Sequence, residues 1–361
     1  MNPKYLDLLA KRYESGSLRS LSLFTDYTDF FSNDYLGLSK LSLNQFPTSY
    51  GSTGSRLLSG NSIEAEESEL YISEFFGSEK ALIYNSGYDA NIGFFSAVPQ
   101  KGEYVLYDEC IHASIRDGIR LSQATSYSFK HNLIDDLEKK IKNLKGTLFV
   151  VVESIYSMHG DISPLEELFK LSEKYNLKII VDEAHSVGIS GENGKGLSHK
   201  YSSHPSLFAR IITFSKAYGT SGGAVLGNTK LIEFLINFSR SFIYTTALSP
   251  FTYKRIKESI QLSLNKPELQ QQLEKNIKLF NQLQNKISNE LSPIQTLDIG
   301  DLEATLRATE KIQSKRIAVK PILPPTVKLG EERIRICIHS FNKTTEIEEL
   351  NKIISSFCNK F

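Results

Sequence analysis

Short, nearly uninterrupted apolar runs punctuate the chain, each closing on polar or glycine-containing residues: Ala81–Tyr84, Tyr104–Tyr107, Leu148–Val152, Lys178–Val181 and Ile211–Phe214. A strand without a polar side meets water on neither face, the condition inside a parallel sheet covered by helices on both sides. Between the runs, Ile63–Phe76, Leu133–Asn143 and Leu165–Tyr175 have helical period and enough length for the crossovers that parallel strands require. The pattern predicts an α/β fold with a mainly parallel sheet flanked by helices. From about Pro250 the texture changes to a long helical stretch rich in Gln, Asn and Lys that reaches Leu291, then to alternating segments containing PILPPTV and RIRICI. Thr345–Phe357 sets Ile347, Leu350, Ile353, Ile354 and Phe357 on one helical face. These features predict an N-terminal segment over 1–45, a large domain over 46–250 and a smaller α+β domain over 251–361, with a helix at the last boundary.

Charge and composition narrow the partners. Among 361 residues, 42 Lys and Arg nearly balance 41 Asp and Glu, so no global field exists to hold a polyanion. Neither nucleic acid nor an anionic membrane is an expected partner. Cys110, Cys337 and Cys358 form no CxxC pair and read as small buried hydrophobes in a reducing compartment. The opening MNPKYLDLLAKRYESG breaks its apolar residues with charges, unlike a signal peptide or a membrane span. A cytoplasmic protein is the expectation.

Candidate chemistry lies just beyond the strands, because open α/β sheets bind ligands at their carboxyl ends. The run KIIV ends in Asp182-Glu183-Ala184-His185, a carboxylate and an imidazole suited to a metal, to part of a catalytic triad, or to a cofactor ring. After IITF comes Lys216, notable because most lysines are solvated. Gly219–Gly223 matches the G-x-S-x-G of hydrolases around Ser221, but that elbow must turn a strand into a helix, and Ala224–Asn228 reads as another strand. The run ALIY leads into a Ser86-Gly87 turn that opens a helix, whose free N–H groups suit a phosphate. His112 follows YVLY. Singly, these features also read as a turn, a cap, a structural histidine and a surface lysine. Jointly they offer phosphate donors, a flat imidazole, a buried carboxylate and an amine that can condense with an aldehyde, the parts that hold pyridoxal 5'-phosphate (PLP).

The motifs FFSNDYLGLS, GSTGSRLLSGN, NSGYDAN, HASIRDGIRLS, ESIYSMHGDISPL, VDEAHSVGISGENGKG, TFSKAYGTSGG, FIYTTALSP and PPTVKLGEERIRI run in order through nearly the whole chain. In these the chain resembles the α-oxoamine synthase family, within the fold type I group of PLP enzymes. Members join an amino acid to an acyl thioester with loss of carbon dioxide. The branch that condenses L-alanine with a pimeloyl thioester, in biotin biosynthesis, is the most similar. The resemblance implies that Lys216 carries the cofactor, Asp182 partners the ring nitrogen, His185 donates to the ring hydroxyl and His112 stacks on the ring. It places Ser86, Gly87, Tyr88 and Thr213 around the phosphate, with Thr246 contributed by the other subunit of a homodimer. Glu153 and Ser157 line the ring, and Asn33 and Arg335 hold the substrate carboxylate. A bidentate arginine suits that last role. No metal is implied.

Four positions depart from the family wording: Ala65 and Asn342 where His is common, His159 where Asp is usual, and Ser249 where Pro is usual. All four lie outside the ring-holding set and bear on acyl specificity. Alternatives within the family are glycine-using synthases that make 2-amino-3-ketobutyrate or 5-aminolevulinate. A PLP-binding but inactive paralogue is the alternative outside catalysis, opposed by Lys216, Asp182, His112 and Arg335 standing together in one chain.

Overall fold

The computed structural model describes residues 10–16, 24, 26–41, 51–284 and 292–358. The chain divides into two compact units, the larger formed by Asn33–Ser157 and Asp161–Gln270, the smaller by Met1–Ser32, Met158–Gly160 and Gln271–Phe361.

The larger unit is built on a seven-stranded sheet. Its strands are β1 (Lys80–Tyr84), β2 (Tyr104–Asp108), β3 (Thr125–Phe129), β4 (Leu148–Glu153), β5 (Lys178–Asp182), β6 (Leu207–Thr213) and β7 (Gly223–Gly227). The spatial order is β1-β7-β6-β5-β4-β2-β3, and β7 runs antiparallel to both its neighbours while the pairs from β6 to β3 are parallel. Each of the five apolar runs forms a strand of this sheet.

Their lack of polar residues has a direct cause. Val151 packs with Phe94, Phe95, Ile115 and Ile119 on one face, whereas Val150 and Val152 pack with Leu137, Leu168 and Phe169 on the other. Each such side chain contributes roughly 1.5–3 kcal/mol on burial, so both faces demand hydrocarbon. The edge strand β3 was not evident from the apolar pattern, since TSYSF leaves four of its five residues exposed.

Helices α1 (Ile63–Phe76), α2 (Gly87–Ala97), α3 (Ala113–Leu121), α4 (Ile134–Ile141) and α5 (Leu165–Tyr175) supply the crossovers and flanks. The long helical stretch expected from Pro250 to Leu291 is instead two helices, α6 (Pro250–Asn265) and α7 (Pro267–Leu283), with residues 285–291 outside the described set. Pro267 has no N–H to continue α6 but suits the first turn of a new helix. The Gly219–Gly223 segment joins β6 to the antiparallel β7 and opens no helix, so the hydrolase elbow around Ser221 is absent.

In the smaller unit, β8 (Ile294–Asp298), β9 (Lys320–Ile322) and β10 (Arg333–Cys337) form an antiparallel sheet with β10 in the centre. It is accompanied by α8 (Leu302–Gln313) and α9 (Thr344–Cys358). Fold class therefore agrees with the sequence reading: a mainly parallel sheet flanked by helices, with a smaller α+β unit. No helix among the described residues is long and apolar enough to cross a membrane.

Candidate active site

Two buried carboxyl groups end adjacent parallel strands, Glu153 on β4 opposite Asp182 on β5. Asp182 accepts from the Ala184 amide through Oδ1 at 2.9 Å and from Asn91 Nδ2 through Oδ2 at 2.8 Å. Glu153 accepts from the Ser157 amide through Oε2 at 3.1 Å, and its Oε1 has no hydrogen-bond partner among the described residues. Burial, then the charge of Asp182, push the Glu153 carboxyl up to about 8. Glu153 therefore holds its proton at neutral pH, and two like charges do not meet.

His185, three residues beyond Asp182, is buried, with Nδ1 2.8 Å from the Tyr35 hydroxyl. Tyr35 in turn donates to Asn33 Oδ1 at 3.1 Å. The segment SNDYLGL thus brings Asn33 to His185 through one buried phenol.

The anion-binding turn also forms. Ser86 caps α2 by accepting from the Asp89 amide at 3.0 Å, which leaves the Gly87 and Tyr88 amides as first-turn donors. This helix start touches the ends of β6 and β7: a Cβ on Gly87 would lie 3.3 Å from Thr213 Cβ, and one on Gly223 would meet the Gly87 Cα and N at 2.7 Å. Only glycine permits that approach. Thr213 is buried and its hydroxyl bonds to the Gly222 carbonyl at 3.1 Å, while Lys216 is half-buried in the turn that follows. The Tyr88 side chain is exposed and donates to Asp117 Oδ2 at 2.8 Å. Thr246 is also exposed, and its carbonyl accepts from Asn85 Nδ2 at 2.8 Å.

His112 sits at the start of α3 and presents exposed surface, with Nδ1 turned toward Ser114. Desolvation lowers its pKa, opposed by Asp182 and reinforced by the Lys216 charge. The charges of Asp182 and Lys216 also act on Glu153, so one cluster holds all of these groups. Asn91, Ser114 and Tyr35 join the cluster although the sequence assigned them no role. Their signal was faint: Asn91 lies one helical turn beyond Gly87, and Ser114 two residues beyond His112.

Arg335 belongs to the smaller unit, where it lies on β10 opposite Lys320 and Thr296 and donates to Cys337 Sγ at 3.0 Å. The four departures have local explanations of different kinds. Ser249 caps α6 by accepting from the Thr252 amide at 3.1 Å. Asn342 accepts from the His339 amide at 2.8 Å and donates to the Asp29 carbonyl at 3.0 Å, binding two segments of the smaller unit. Ala65 is fully buried in the first turn of α1, and His159 is half-buried in the turn before Gly160.

The sequence matches aminotransferase class I and II over residues 25–354. The chain belongs to that family. Within it, the sequence is 37% identical to 8-amino-7-oxononanoate synthase 2 of Bacillus subtilis (strain 168), covering 90% of this chain and 86% of the relative. It is 34% identical to the 8-amino-7-oxononanoate synthase of Emericella nidulans, covering 97% and 94%. Among solved structures, a Sphingomonas wittichii serine palmitoyltransferase superposes with a TM-score of 0.88 at 27% identity, covering 98% of this chain and 97% of that one. The 8-amino-7-oxononanoate synthase of Francisella tularensis gives 0.79 at 29% identity, covering 92% and 98%.

The chain is accordingly a PLP-dependent acyltransferase of the α-oxoamine synthase type. Its residues fit the cofactor: a glycine cradle under helix-start amides, a buried carboxylate, an exposed imidazole and a half-buried lysine lie in one cluster.

Proposed function

We propose that this enzyme condenses an amino acid, L-alanine by preference, with a pimeloyl thioester carried by CoA or a carrier protein. Carbon dioxide and the free thiol leave, and 8-amino-7-oxononanoate is formed for biotin biosynthesis. Support comes from the names of relatives that match over most of both chains.

PLP, when bound, supplies an aldehyde and an electron-accepting ring that stabilises charge at the α-carbon of the amino acid. Lys216 would be the amine that holds the aldehyde and the base for the α-proton. Asp182 would keep the ring nitrogen protonated, His185 would serve the ring hydroxyl, and His112 would be the aromatic partner of the ring. Glu153 and Ser157 would line the site. Ser86, Gly87, Tyr88 and Thr213 bind the phosphate, joined by Thr246 of a second copy in a cytoplasmic homodimer. Asn33 and Arg335 hold the substrate carboxylate.

The observation that carries this reading is the convergence of Asp182, Glu153, His112 and Lys216 at neighbouring strand ends. A panel of amino acids and acyl thioesters, followed by thiol release, tests it. Alanine with pimeloyl-CoA should turn over fastest. Faster reaction of glycine with acetyl- or succinyl-CoA, or of serine with palmitoyl-CoA, would reassign the substrates. A methyl group in an apolar pocket is worth only about 1–3 kcal/mol, so the contrast is one of degree.

A further inference from the structure

We propose that Ser114 and Asn91 are positioning residues that fix the proton of His112 on Nε2 and couple that choice to Asp182; this rests on the reading of the site given above. Asn91 is buried on α2, and its Nδ2 bonds to Asp182 Oδ2 at 2.8 Å and to Ser114 Oγ at 3.0 Å. Turning the amide over would set Oδ1 against the carboxylate, acceptor against acceptor, so the orientation is determined. Asn91 Oδ1 is buried without a hydrogen-bond partner among the described residues, a cost accepted where the amide is held for its two N–H groups.

An amide NH2 only donates, so Ser114 Oγ accepts from Asn91 and has its single proton left to give. Its other neighbour is His112 Nδ1, at 2.7 Å. The Ser114 backbone N–H also points at Nδ1, at 3.2 Å, and can only donate. Two donors therefore converge on Nδ1, which must carry a lone pair. The proton of the neutral ring lies on Nε2. Donation then runs one way along the chain, with Asn91 giving to both Asp182 and Ser114, and Ser114 giving to His112.

Protonating Nδ1 would set its new N–H against the Ser114 amide and force the hydroxyl to turn away. Of the charges facing the imidazole, Asp182 and Asp117 favour protonation and Lys216 opposes it; partial desolvation of its inner edge also opposes it, and the net shift is downward. The Glu153 carboxyl lies beside the His112 backbone. A neutral imidazole can stack on a ring whose nitrogen Asp182 keeps protonated, whereas an imidazolium would repel that ring and Lys216 alike.

The test is two-bond proton–nitrogen NMR of the full-length protein labelled with ¹⁵N-histidine, with and without PLP, His112 being assigned by its loss in His112→Asn. Wild type should show the Nε2–H tautomer, with a titration midpoint below that of a free imidazole. Ser114→Ala should raise the titration midpoint by about half a unit or more and mix the tautomers, while Ser114→Thr restores the wild-type pattern. Asn91→Leu, which frees the Ser114 hydroxyl to turn, should also mix the tautomers. The acid limb of kcat/KM should move with the midpoint in each variant. An Nδ1–H tautomer in wild type would overturn the proposal even if no variant folds, as would an unchanged tautomer and midpoint in a folded Ser114→Ala protein. Loss of the condensation reading alone would leave the NMR outcome as stated, so the two failures are distinguishable.

Discussion

Glu153 and Asp182 face one another in register on adjacent parallel strands, both almost wholly buried. A carboxyl group raised to about 8 binds its proton in the folded protein where the unfolded chain, near 4.5, has released it. Folded protein then holds more protons than unfolded, and stability falls as pH rises from about 4.5 to about 8. Glu153→Gln, neutral at every pH, should remove that slope. Thermal unfolding of the apoprotein should show the variant gaining on wild type between pH 5 and pH 8, by on the order of a few kcal/mol. Equal gaps at the two pH values would mean that Glu153 is not the group responsible.

His131 lies between two carboxylates, its Nδ1 2.8 Å from Asp108 and its Nε2 2.6 Å from Asp161. Burial alone would lower its pKa, but the hydrogen bonds it donates to these carboxylates push it up to about 12. The stability it contributes is fully present below 6.5, where unfolded histidine is also charged, and is lost as pH rises toward 12. His131→Ala strands the fully buried Asp108 and should cost about 3 kcal/mol, the partial exposure of Asp161 reducing the loss. The gap in Tm from wild type should be wider at pH 6 than at pH 9.

Arg335→Ala tests the carboxylate clamp. Removing a charge-assisted bidentate contact costs about 2–5 kcal/mol, so apparent affinity for the amino acid should fall by at least about tenfold. PLP binding, followed by its visible absorbance, should change little. Unchanged amino-acid affinity would remove Arg335 from the site.

What was legible in the sequence was what burial makes obligatory. Both faces of β4 and β5 need hydrocarbon, so LFVVV and KIIV announce themselves, and the residues that end them, Glu153 and Asp182, stand out by contrast. The polar edge strand β3 carried no such mark. The break at Pro267 was hidden because a proline that starts one helix can also be read as lying within a longer one. Side-chain networks were invisible for another reason. Tyr35 and His185 lie 150 positions apart, and no spacing rule links a phenol in an N-terminal motif to an imidazole after β5. The same holds for Asn91 and Asp182, which meet only because α2 packs against the strand ends.

The central claim is that Lys216 holds the cofactor. It follows Thr213 by three residues, is half-buried, and shares its surroundings with His112, Asp182 and Glu153. Attack on an aldehyde requires the amine in its neutral form. The measurement is borohydride reduction of the yellow holoprotein, followed by proteolysis and mass mapping of the PLP-labelled peptide, with Lys216→Ala as the partner variant. The label should appear on the peptide containing Lys216, and Lys216→Ala should bind PLP yet lose turnover by orders of magnitude. A label on any other lysine, or normal turnover in Lys216→Ala, would contradict the assignment.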